Sequence, residues 1–422
     1  MKPAPSFFPL LICALTSIFA GPQFSPAQTH SAKTAPPTVW VSSWGTSQQI
    51  PEPANALPAE DLHNATLRQI VHLSIGGPAI RVHLSNAFGT DALDFTSVHI
   101  ARPLSTSTSA IDPATDRPLT FAGSFTVTIP PGAEFISDPL AFPVAPLSDL
   151  AVTFHLEEPP TRQTSHPGSR ATSYFVLGDH VSAASLIDAH TVDHWYQLSE
   201  IDVQAAPGAA TIVALGDSIT DGHGATTNGN DRWTDVLALR LQASPRTRNI
   251  GVSNQGIGGN HLLTDGLGPN ALARFDRDVL APAGVRWVTV FEGVNDLGGL
   301  ARVPEVPAAD HAAFVQRVLA AYQQIIDRAH AHGLRVYGAT ITPYVGSAYY
   351  HPGPLSEANR QTVNAWIRAS GHFDAVIDFD AVVRDPQHPD QLLPAYDCGD
   401  HLHPNPAGYK AMAESIPLNL FW

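Results

Sequence analysis

The sequence predicts an all-β jelly-roll or sandwich region followed by an α/β region, a parallel sheet flanked by helices. Three observations predict it. Across residues 38–200 short apolar runs alternate with polar residues at period two. Beyond residue 208 the apolar runs become continuous and helical stretches separate them. At 422 residues the chain is also long enough for two cores.

In the first region Ile80, Val82 and Leu84 alternate with Arg81, His83 and Ser85. Phe125, Val127 and Ile129 alternate with Thr126 and Thr128, and Leu150, Val152, Phe154 and Leu156 repeat the period. Turn clusters such as Pro130-Pro131-Gly132 separate these runs, the signature of an antiparallel sheet with one wet face. Two roles fit such a region, carbohydrate or substrate recognition and plain packing. In the second region, 208–422, the runs 209–215, 285–291, 334–341 and 375–379 read as strands buried on both faces. Between them 231–241, 271–280, 309–332 and 356–370 read as helices, with Phe314, Val318, Ala321 and Ile325 on one face. Alternating strand and helix gives right-handed crossovers and a parallel sheet whose ligands bind at the strand carboxyl ends.

Charge narrows the partners. With 38 acidic against 23 basic residues, only three of them lysine, the formal charge of −15 disfavours nucleic acid and anionic membrane. Residues 1–27 read as a signal peptide: Lys2, a 14-residue apolar run over 7–20, and small residues at Ser25 and Ala27 before Gln28. Cys13 lies inside that run, so the exported chain would keep Cys398 alone and no internal disulfide. A further apolar stretch of about 18 residues is absent from the sequence, so stable membrane insertion after cleavage is not expected. The expected location is secreted or periplasmic.

Four segments at the predicted strand ends carry chemistry. Gly216-Asp217-Ser218 opens a strand-to-helix turn, where a serine hydroxyl and its own N–H face one space. The segment 254–260 (NQGIGGN) supplies glycines that let backbone approach a ligand closely; its spacing is not that of a dinucleotide loop. Glu292-Gly293-Val294-Asn295-Asp296 offers a side-chain amide to a developing oxyanion. Asp400-His401-Leu402-His403-Pro404 places a carboxylate three residues before an imidazole.

In this order the four segments resemble the SGNH family, also called GDSL esterases and lipases, over roughly residues 209–422. Ile219 stands where the name-giving motif has leucine. The resemblance implies a flavodoxin-like sheet and a serine ester hydrolase. It makes Ser218 the nucleophile, His403 the base and Asp400 its orienting carboxylate, with an oxyanion hole from Ser218, Gly259 and Asn295. Asp217, Asn254 and Asp296 are expected in support. His401, one residue after Asp400, is a weaker candidate base, His351 a loop residue that could line the pocket, and Cys398 an inert thiol. An Asp-His-x-His run also admits a zinc site in principle, yet the other histidines are scattered and no metal or other cofactor is expected.

The substrate expectation is a small-molecule or polysaccharide ester. The architecture resembles two-domain carbohydrate esterases and favours deacetylation of carbohydrate or other short-acyl esters. The alternatives are a broad-specificity esterase or lysophospholipase, and a polysaccharide-binding protein with a vestigial hydrolase domain. The intact set of motif residues argues against the last.

Overall fold

The computed structural model describes Met1, residues 38–303 and residues 305–422. The signal-peptide segment 1–27 lies outside the described residues. Pro37–Trp422 forms one compact unit.

Its first half consists of two main antiparallel sheets. One runs in the order Val39–Gly45, Leu198–Ala205, Ile80–Ser85, Glu134–Ile136. The other runs His190–Val192, Ser173–Leu177, Ala65–Leu73, Ser148–Leu156, Ser97–Ala101, Arg117–Pro118. Their facing side chains, Val82 and Ile201 from one and Leu67, Val98, Val152 and Phe154 from the other, share a single core. The period-two reading selects the right face of Ser148–Leu156, but its opposite face is not wet. Ala151, Thr153 and His155 are buried there, as are Thr66 and Arg68 on the neighbouring strand.

Long connections cover that second face, with Ile111 and Leu186 packing on Ile70 and Ala151. Arg68 holds the cover down. Its Nε donates to Thr153 Oγ1 at 2.9 Å, and its Nη1 and Nη2 donate to the carbonyls of Ser109 at 2.5 Å and Ala183 at 2.8 Å. Burial pushes its pKa down to about 10, so it stays charged at neutral pH. Phe125 also departs from expectation: it is 59% exposed, because the chain turns at Ala122 and Gly123 and joins its partner strand only at Val127.

After a short turn at Pro207-Gly208 the chain enters a five-stranded parallel sheet ordered Ile250–Gly256, Ala210–Gly216, Val285–Phe291, Arg335–Ala339, Ala375–Ile377. Numbered along the chain this order is 2-1-3-4-5, the flavodoxin-like arrangement, whose switch point lies between the first and third strands. All four sequence-predicted runs are strands of this sheet, except that Phe379 opens a short helix. Trp233–Ala243, Ala308–Ala331 and Pro354–Arg368 are helices as predicted, and Ala271–Phe275 continues into a π turn, Asp276–Leu280. On the long helix the buried stripe runs through Val315, Val318, Tyr322, Ile325 and Ala329, with Phe314 at its flank. Among the described residues no helix is long and apolar enough to cross a membrane.

Short buried hydroxyls join the two halves. Ser42 N–H donates to the Ala283 carbonyl at 2.9 Å and also lies 3.0 Å from Thr211 Oγ1, and Ser74 Oγ accepts the Val252 N–H at 2.9 Å. These bonds satisfy edge backbone groups that would otherwise be buried unpaired.

The Arg68 clamp gives a stability prediction. Arg68→Met keeps the stem but strands at least two buried carbonyls, so chemical denaturation should show a loss of about 2–4 kcal/mol. An unchanged midpoint would contradict the role assigned to this guanidinium.

Candidate active site at the switch point of the parallel sheet

Ala210–Gly216 ends at the switch point, and Ser218 begins the one-turn helix Ser218–Asp221 directly beyond it. Asp217 caps this turn, its carboxylate accepting the Ile219 N–H at 2.9 Å. As the first helical residue, Ser218 has an N–H with no intrahelical acceptor. Ser218 is 7% exposed, and its hydroxyl lies 2.8 Å from His403 Nε2.

His403 comes from the segment before the helix Pro406–Ser415, pinned where Cys398 N–H donates to the His403 carbonyl at 3.0 Å. Its Nδ1 lies 2.5 Å from Asp400 Oδ2, and the backbone N–H groups of Leu402 and His403 donate to Asp400 Oδ1 at 2.9 and 2.8 Å. Burial raises the pKa of Asp400, but the hydrogen bond and charge of His403 and the two N–H donors outweigh it, holding the carboxyl well below its usual range. An ionised Asp400 fixes the proton of His403 on Nδ1 and leaves the Nε2 lone pair toward Ser218.

Gly259 and Asn295 complete the rim. Gly259 has φ +71°, the left-handed region that favours glycine, and a Cβ there would also make the exposed Leu267 side chain shift. Asn295 lies in the helix Val294–Ala301 with its Nδ2 donating to the Asn260 carbonyl at 2.7 Å. Ser218, Gly259, Asn295 and His403 open on one cavity of about 1020 Å³, whose walls include Leu267 and Tyr349 and, among the described residues, no Lys or Arg.

Beneath the rim sits Arg274, 1% exposed. Its Nε donates to Asn260 Oδ1 at 3.0 Å, and Nη1 reaches the Gln255 carbonyl at 2.6 Å and Asp278 Oδ2 at 3.0 Å. Nη2 reaches the Gly216 carbonyl at 2.9 Å and Glu292 Oε1 at 3.1 Å. One guanidinium thus ties the ends of three adjacent strands. The nearby acids exceed the cations. Burial pushes Asp217 up to about 7, with Asp296 and Asp221 adding to it against the Ile219 N–H and Arg274. Burial and Asp217 push Glu292 well above its usual range.

Asp296 and Asn254 brace the loops around the rim. Asp296 accepts the N–H groups of Leu262 and Leu263 at 2.8 and 3.1 Å. Asn254 accepts the Gly256 N–H at 2.9 Å and donates to the Thr220 carbonyl at 2.7 Å. His401 also lines the cavity, but its Nδ1 pairs with Asp397 Oδ2 at 2.8 Å and its side chain is 57% exposed. His351 is exposed and lies outside the cavity wall. The thiol of Cys398 is pushed up to about 11 by burial and Asp400, which keeps it protonated.

Several residues outside the expected set reach the site. His223, five residues after the serine, tilts over His403 with ring centroids 4.0 Å apart, and its Nε2 lies 3.7 Å from Asp400 Oδ2. His223, not His401, therefore groups with Asp400 and His403. Arg170, from the β region, lies 3.1 Å from His223 Nδ1, and a guanidinium only donates. The His223 proton is therefore assigned to Nε2, on the side of Asp400. Burial, His403 and Arg170 lower the pKa of His223 to about 4. Asp221 accepts the Gly258 N–H at 3.1 Å and pairs at 2.8 Å with His166, a second side chain from the β region. Sequence reasoning has no signal for these contacts; for the tie beneath the rim it carries a faint one, a lone Arg274 inside the apolar stretch 271–275.

Arg274→Lys tests the strand-end tie. A lysine cannot reproduce the fork, and several buried acceptors would lose their donor, so thermal unfolding should reveal a loss of about 3–5 kcal/mol. A melting temperature equal to wild type would show that the three strand ends hold without it.

Residues 214–411 match the GDSL-like Lipase/Acylhydrolase family. A G-D-S-L family protein from Desulfitobacterium hafniense is 24% identical, with 49% of this chain and 97% of that one covered and a TM-score of 0.36. A GDSL-like lipase from Bacteroides thetaiotaomicron is 18% identical, with 49% and 85% covered and a TM-score of 0.35. An acetylxylan esterase from Geobacillus stearothermophilus is 21% identical, with 49% and 91% covered and a TM-score of 0.36. No curated protein matches the chain. The family match, falling on the segment that carries Ser218, Gly259, Asn295 and His403, identifies residues 214–411 as a GDSL-like lipase/acylhydrolase domain behind an N-terminal β-rich region.

Proposed function

We propose that this protein is an exported serine carboxylic ester hydrolase that works through an acyl-enzyme on Ser218. One observation carries the reading: Ser218 Oγ, His403 and Asp400 form an unbroken hydrogen-bonded chain with separations of 2.8 and 2.5 Å at the mouth of a large cavity. His403 Nε2 takes the hydroxyl proton as Ser218 attacks the ester carbonyl, and Asp400 stabilises the imidazolium. The N–H groups of Ser218 and Gly259 and the Asn295 amide hold the tetrahedral oxyanion. His403 returns the proton to the leaving alcohol, and water repeats the sequence to free the acid. Export rests on the sequence of residues 1–27.

The substrate we favour is a neutral short-acyl ester, with an acetylated sugar as its leading form. Among the described residues the wall has no Lys or Arg to pair with a phosphate headgroup, and about 1020 Å³ leaves room for a saccharide unit beside a small acyl group. The apolar side chains of Leu267, Tyr349 and Leu402 favour a second reading, a broad-specificity esterase that also accepts longer acyl chains or lysophospholipid.

Kinetics test both levels. On a p-nitrophenyl ester Ser218→Ala and His403→Ala should each lower kcat by roughly 10⁴-fold or more, and Asn295→Ala by about 10²–10³-fold. A Ser218→Ala protein as fast as wild type would end the serine scheme. Dialysis against a strong chelator should leave the rate unchanged. Wild-type kcat/KM should be higher on acetylated xylan than on lysophosphatidylcholine, and the reverse order would transfer the assignment to the second reading.

A further inference from the structure

The amide of Asn295 can be oriented by elimination. One end faces the Asn260 carbonyl, which only accepts, so that end is Nδ2 at 2.7 Å. The other end is therefore Oδ1, and it lies 2.5 Å from the hydroxyl of Tyr350. Since Oδ1 only accepts, Tyr350 must donate. With Nδ2 held by one of its hydrogens and Oδ1 by the phenol, the amide plane is fixed. The second Nδ2 hydrogen is left for the cavity that Asn295 and Ser218 share.

Tyr350 is built into this place. It is buried and lines the same cavity, and its ring lies edge-on to Tyr344 and Tyr349 at centroid distances of 6.2 and 4.7 Å. It also packs on Gly298 of the helix that carries Asn295, so closely that a Cβ on that glycine would fall 2.5 Å from the ring. The glycine thus lets the phenol reach Asn295 across one helical turn. Burial, with Tyr349 and Asp217 adding to it, pushes the phenol pKa up, so the group remains a donor across the working pH range of an esterase.

We infer that Tyr350 is a positioning residue for ester hydrolysis: its hydroxyl locks the Asn295 amide so that Nδ2 points at the oxyanion before substrate arrives. The inference rests on the proposed role of Asn295 as oxyanion donor. A donor held in advance needs no reorganisation in the transition state, and its contribution falls when it is free to turn.

Tyr350→Phe removes the hydroxyl and keeps the ring on Gly298. The lock predicts that kcat falls roughly tenfold, less than for loss of the donor itself, while KM stays within about twofold. It also predicts that the Tyr350→Phe, Asn295→Ala double variant is no slower than Asn295→Ala alone, because without the amide nothing remains to position. A wild-type kcat in Tyr350→Phe, or a tenfold loss that persists in the Asn295→Ala background, overturns the positioning role and leaves the donor role of Asn295 standing. A wild-type kcat in Asn295→Ala overturns the donor role, and the positioning role with it.

Discussion

Arg274 is the constraint on which the arrangement of the site depends. Catalytic groups on separate loops need a common reference, and parallel strands give each loop a base but no fixed distance to its neighbours. The guanidinium supplies that distance by bonding the Gly216 carbonyl below Ser218, the Gln255 carbonyl and Asn260 side chain that flank Gly259, and Glu292 at the head of the Asn295 helix. Its planar fork meets acceptors in fixed directions, which a flexible ammonium does not. Among the buried carboxyls around it, burial and neighbouring acids raise Glu292 and Asp217, while Arg277 shares Asp278 with Arg274, its Nε 2.7 Å from Asp278 Oδ1.

The β region presses on the same site from behind. His166 and the Gly258 N–H share the carboxylate of Asp221, which ends the turn that Ser218 begins, and Arg170 fixes the ring of His223 over His403. Arg232 strengthens this seam by donating to the Asp221 carbonyl at 2.8 Å and to the carbonyl of Ser169. Of the two roles the sequence allowed for the β region, packing has these direct contacts behind it.

What the sequence made legible was short-range. Continuous apolar runs such as 209–215 reveal strands buried on both faces, and Gly216-Asp217-Ser218 or Asp400-x-x-His403 encode their geometry within one turn of chain. What it hid depends on residues distant in the chain. Arg274 and Gly216 are 58 residues apart, Arg170 and His223 53, and Tyr350 and Asn295 55, and no periodicity marks such pairs. The one-wet-face expectation failed for the same reason: Arg68 and Thr153 look like solvent-facing positions until the connections carrying Ser109 and Ala183 fold over them. Phe125 continued an apolar alternation, but the turn before it keeps it off the ladder.

The central claim is that Ser218 is the activated nucleophile, prepared by His403. It is tested most directly by treating the purified protein with a fluorophosphonate and mapping the adduct by peptide mass spectrometry. The account predicts a single modified site at Ser218, formed rapidly in wild type and at least a hundredfold more slowly in His403→Ala, because an unassisted hydroxyl is a weak nucleophile. Modification at another residue, or labelling of Ser218 at an equal rate without His403, would contradict it.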